Sequence, residues 1–113
     1  MNESEPYNRG VEGHAQISAD VLGSYIADAA REVDGVHGLV EGPLARTKGV
    51  RVTGDEGAVA VELHVALDWG ANVADVGGAV QQRVVEFLER MADVRPVSVD
   101  VVVDEICPPA AGR

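Results

Sequence analysis

The sequence is poor in the residues on which most small-protein chemistry is built. It holds one cysteine, Cys107, so no disulfide can close within the chain and a cysteine-type zinc site is excluded. Cationic side chains are few: 9 Lys and Arg stand against 19 Asp and Glu, a formal net charge of −10. That balance opposes contact with nucleic-acid phosphates and with an anionic cytoplasmic leaflet, both of which attract Lys/Arg clusters. No apolar run reaches the ~18–20 residues that span a bilayer. The start, Met1 to Glu5, has neither the cationic region nor the apolar core of a signal peptide. Together these absences describe a soluble, cytoplasmic protein that binds no nucleic acid and does not insert into a membrane. Catalytic motifs are missing as well. Gly54-Asp55-Glu56-Gly57 joins two strands, whereas a phosphate-binding glycine loop opens a helix. Neither a nucleophile elbow nor a Cys/His pair is present, and no cofactor is expected.

What the sequence does contain is a core. Its 113 residues are 46% hydrophobic, mostly Val and Ala with only 4% aromatic, enough for one domain with one core. The chain is organised around residues 58–105. A strictly alternating strand, 58–68, puts Val59, Val61, Leu63, Val65 and Leu67 on one face and Ala60, Glu62, His64, Ala66 and Asp68 on the other. Each buried Val or Leu in that row contributes about 1.5–3 kcal/mol, which fixes the register. One-sided burial indicates an antiparallel or mixed sheet. Asn72 then caps a helix running to about Ala92, with Val73, Val76, Val80, Val84, Phe87, Leu88 and Met91 on its apolar stripe. The Gly77-Gly78 pair weakens that helix, and close approach of its backbone to the sheet would offset the cost. Pro96 starts a last strand, which buries Val97, Val99, Val101 and Val103 and shows Ser98, Asp100, Val102 and Asp104.

The first half reads as support for this unit. Residues 1–12 form a tail without fixed structure, and residues 14–17 give a weak edge-strand signal. Ser18 caps a helix whose stripe is Val21, Leu22, Tyr25, Ile26, Ala29 and Val33, with Gly35 at the position after its end. Residues 36–40 suit a short strand, and 41–48 form a loop marked by Gly42 and Pro43. Arg46, Lys48 and Arg51 are the densest positive charge, a small solvated patch. Residues 49–53 alternate and form a hairpin with the long strand. The expected fold is α+β: a two-layer sandwich with two helices on one face of a mixed three- or four-stranded sheet, spanning 13–106 before a C-terminal tail at 107–113.

Three histidines, His14, His37 and His64, are scattered over different elements. His64 shares a strand face with Glu62, and Asp100 could lie across from it, a trio able in principle to relay protons. Scattered histidines are far more often structural, and no catalytic residues are assigned. Trp69 sits at a loop outside the apolar rows. Its plainer reading is a lid over the end of the core; the other is an aromatic contact for a partner.

Several stretches resemble the alkaline shock protein 23 family, envelope stress response proteins of Gram-positive bacteria. These are Ile17-Ser18, then Ala29-Ala30-Arg31-Glu32-Val33-Asp34-Gly35-Val36, then Gly49-Val50-Arg51-Val52 and the Val61–Leu67 strand. Trp69-Gly70-Ala71-Asn72-Val73, Val84-Val85-Glu86 and the Val97–Val103 strand complete the set, which runs from about residue 14 to 106. Trp69 and Gly77-Gly78 depart from the family pattern. The resemblance implies a non-enzymatic cytoplasmic protein that self-associates and gathers beneath the membrane through a membrane-anchored protein, in cell-envelope homeostasis. On that expectation the protein is a scaffold. Its candidate contact residues are Glu62, His64, Asp100 and Val102 on the outer sheet face, with Trp69 in the adjoining loop. The alternative is a small-molecule-sensing regulatory domain, which rests on fold analogy alone.

Overall fold

A computed structural model of the chain describes residues 17–42, 48–54 and 58–109. The expected N-terminal tail, residues 14–16 of the weak strand at 14–17, most of the 41–48 loop, residues 55–57 of the hairpin connection at 54–57 and the last residues of the C-terminal tail lie outside the described residues.

Helix α1 spans Ala19–Arg31, and the Val21 N–H donates to the Ser18 side chain at 3.1 Å. The helix stops at Glu32, earlier than the glycine alone suggested. Gly35 instead occupies the third position of a turn closed by the Val36 N–H to the Val33 carbonyl at 3.1 Å. Its φ of +98° is the conformation a type II turn reserves for glycine.

Strands β1 (Val36–Leu39) and β2 (Val50–Thr53) both run antiparallel to β3 (Ala60–Asp68). Strand β4 (Ser98–Cys107) lies parallel to β3 along its whole length. Since β4 occupies one edge of β3, β1 and β2 share the other, end to end. Their junction is at His64, whose carbonyl accepts from the Val40 N–H at 2.8 Å and whose N–H donates to the Gly49 carbonyl at 2.9 Å. The sheet is therefore mixed, four-stranded and three strands wide, as the alternation required.

Helix α2 (Val73–Met91) makes the parallel crossover from β3 to β4, capped by Asn72, which accepts from the Asp75 N–H at 2.9 Å. Both helices cover one sheet face, α1 over β1 and β2, α2 over β4. The core between the layers joins Leu22, Ile26, Val61, Leu63, Val65, Leu67, Val80, Val84 and Leu88, of which only Leu22 keeps as much as 5% exposure.

Four expectations change. The β4 row is only half-buried at Val99, Val101 and Val103, and Val97 is 66% exposed, because an edge strand is covered by a single helix. The strand also runs on to Cys107. Val21, Tyr25, Val73 and Met91 are exposed instead of buried. In α1 the cause is a roll of the helix: its small side, Gly23, Ala27 and Ala30, is pressed into the interior, which turns Val21 and Tyr25 outward. Finally, a Cβ added at Gly77 or Gly78 would meet nothing within 4 Å. No close backbone approach offsets their helix cost.

Candidate docking face

The face of the sheet opposite the helices is set by strand parity. On β3 it presents Ala60, Glu62, His64, Ala66 and Asp68. Register brings Arg51 of β2 beside Glu62, and Asp100 of β4 beside it on the other flank. His64 lies next to Val102. Glu62, His64, Asp100 and Val102 thus form one contiguous patch, as the alternation predicts. Arg51 and Glu62 are an opposite-charge cross-strand pair, a favourable arrangement.

The contact expected between His64 and Asp100 is not made. His64 lies instead between Asp104 and Glu62: Nδ1 is 2.8 Å from Asp104 Oδ2, and Nε2 is 2.5 Å from Glu62 Oε2. The cause is a bulge. Register runs Val65 to Val103 and then Ala66 to Glu105, so Asp104 is an extra residue on β4. The sequence signal for it was available. Apolar residues occupy odd positions through Val103 and then shift to Ile106, which pairs with Leu67 on the core side. A one-residue change of parity within a strand is what a bulge produces. The bulge sets Asp104 against His64 and Glu105 beside Ala66.

The patch sets one imidazole between two carboxylates. When both ring nitrogens carry hydrogen, the imidazole donates to both carboxylates; with one it donates to only one. The His64 side chain is 15% exposed, so it is wedged between its acidic neighbours while they stay open to solvent. Farther along, His37 Nδ1 contacts Asp68 Oδ1 at 3.1 Å. The face is acidic, and the small residues Ala60, Ala66 and Gly38 lie between its charged side chains.

Trp69 is not a lid. It is 65% exposed, at the second position of a turn closed by the Ala71 N–H to the Asp68 carbonyl at 3.1 Å. That position points the side chain away from the core, and Ala71 packs there instead. Trp69 is five residues beyond His64, roughly 15 Å along the strand direction. It borders the patch without joining it. Among the described residues no set of three or more His, Cys, Asp and Glu side chains is arranged to hold a metal ion, and no helix is long and apolar enough to cross a membrane.

No curated protein matches the sequence. Solved structures of similar fold include variants of the MamM C-terminal domain. A triple variant aligns with a TM-score of 0.54 and 21% identity, covering 74% of this chain and 90% of that one. A manganese form and a cadmium form give the same score and identity over 74% of this chain, and over 94% and 92% of theirs. At that identity the likeness is one of fold. The sequence itself matches the alkaline shock protein 23 family, with its cell envelope-related function, over residues 7–108. With nearly all of its length inside that match, the chain belongs to the alkaline shock protein 23 family.

Proposed function

We propose that the protein is a non-enzymatic scaffold of the cell-envelope stress response, which associates with copies of itself and binds a membrane-anchored protein. It works in the cytoplasm at the membrane's inner side, held there by that partner. The outer sheet face and the Trp69 turn are its docking surface for the partner. The observation that carries this reading is the asymmetry of the sandwich. One sheet face is spent on the core, while none of the described helices covers the other, with His64 fixed between Glu62 and Asp104 and a 65% exposed tryptophan at its end. Exposed Trp is costly in water and common at the centre of interfaces. Charge supports the indirect route to the membrane, since a chain of −10 is repelled by anionic lipid.

The test is affinity recovery from detergent-solubilised envelope membranes, with wild type compared against Asp100→Lys and Trp69→Ser. Wild type should retain a membrane-anchored protein, identified by mass spectrometry, and both variants should lose it while their thermal melts stay unchanged. Equal recovery by the variants would remove this face from the interaction. If wild type retains no membrane protein, the partner reading fails.

A further inference from the structure

The helical layer carries an apolar patch that the docking face does not use. Tyr25 is 52% exposed, Met91 68% and Val21 45%. Val21 and Tyr25 are four residues apart on α1, and Phe87 and Met91 four apart on α2, so each pair lies along one side of its helix. The Tyr25 and Phe87 rings meet across the helices, with centroids 6.4 Å apart and planes tilted by 37°. With Met91 and Ala29 they floor a groove of about 480 Å³. Large apolar side chains left side by side in water mark an interaction surface.

Charge identifies the occupant. The groove's rim holds Asp28, Glu32 and Glu86 with Arg83 and Arg90. Arg31 pairs with Asp28, and Arg83 with Glu32. Counting Arg31, carboxylates and guanidiniums balance here, in a chain whose net charge is −10. Two copies meeting sheet to sheet would bring Glu62, Asp100, Asp104 and Glu105 against the same acids. Two copies meeting groove to groove would not. The rim is also uneven: on the α1 side Asp28 and Glu32, its C-cap, outnumber Arg31, and on the α2 side Arg83 and Arg90 outnumber Glu86. A two-fold axis that lays α1 against the partner's α2 sets the net-acidic side of each rim opposite the net-basic side of the other. A lipid surface fits poorly, because helices that lie in a membrane interface flank their apolar stripe with Lys and Arg.

We infer that the α1–α2 groove receives the same groove of a second copy, forming an isologous dimer. The inference rests on the self-association proposed above and assigns it a surface separate from the one for the membrane-anchored partner. Such a dimer turns its two outer sheet faces away from each other, so it holds two partners at once and gains avidity at a membrane. The experiment is sedimentation velocity over a wide concentration range on wild type, Met91→Glu and Tyr25→Ser. Both residues are more than half exposed, and far-UV circular dichroism melts verify that the variants fold. Wild type should dimerise, and each variant should weaken the dimer by at least ~30-fold, as for an interface hot spot. A wild-type dimer that both variants leave intact overturns the groove assignment while self-association stands. A wild type that stays monomeric overturns both, and anionic-vesicle binding lost in Met91→Glu would then give the groove to lipid.

Discussion

One substitution, glycine to alanine, should have three different outcomes in this fold. Gly35 and Gly70 both have strongly positive φ, +98° and +90°, which costs an L-residue about 1–2 kcal/mol. They differ in surroundings. A Cβ at Gly35 would come 2.7 Å from Cγ2 of Val76, whereas one at Gly70 would meet nothing within 4 Å. Val76 is buried at 8% exposure and its branched side chain cannot swing aside, so Gly35→Ala carries an overpacking cost of about 1–3 kcal/mol as well. Alanine also makes the unfolded chain less flexible, returning about 0.4–1 kcal/mol in each case. The net losses are about 2–4 kcal/mol for Gly35→Ala and about 1 kcal/mol for Gly70→Ala. Gly78 lies within α2 in open space, so Gly78→Ala should stabilise by about 0.5–1 kcal/mol. For a domain of about 100 residues, 1 kcal/mol moves Tm by roughly 5 °C. The expected shifts are therefore a fall of about 10–20 °C, a fall of about 5 °C and a rise of a few degrees. Far-UV circular dichroism is the suitable probe, because the only tryptophan is already 65% exposed in the folded state. Equal losses at Gly35 and Gly70 would refute the Val76 contact as a constraint. A loss at Gly78 would refute the absence of packing around it.

Leu63, fully buried at the centre of β3, should cost about 3–5 kcal/mol on Leu63→Ala; a urea midpoint that barely moves would mean the two layers are not packed as described. Ser18→Ala removes the acceptor for the Val21 N–H and should cost about 1 kcal/mol. Ser18→Asp restores an acceptor and should recover most of it, and a failure to recover would show the cap to be unimportant.

Elements were legible in this sequence wherever one local rule decided them. Ser18 and Asn72 open their helices as capping residues do, and the β3 row from Val61 to Leu67 could be placed on only one face. Contacts that depend on two elements meeting were harder. The His64–Asp104 contact needs both the parallel pairing of β4, for which the helix between the two strands is the signal, and its bulge, marked at Ile106. Tyr25 and Met91 sit on stripes that periodicity marks as apolar. Periodicity gives the direction of a stripe but not the roll of the helix, and that was set by Gly23, Ala27 and Ala30 packing inward. Trp69 was read from its bulk, while the turn at Gly70 decided where it points.

The junction between β1 and β2 has a consequence for how this protein can vary. Val40 and Gly49 are both hydrogen-bonded to the backbone of the same residue, His64, so the chain leaves the sheet and returns to it at one rung. The register of every strand is then independent of how many residues lie between those two anchors. Doubling that span costs only about 0.6 kcal/mol of closure entropy. It is the natural port for grafting a peptide epitope or a fluorophore tag.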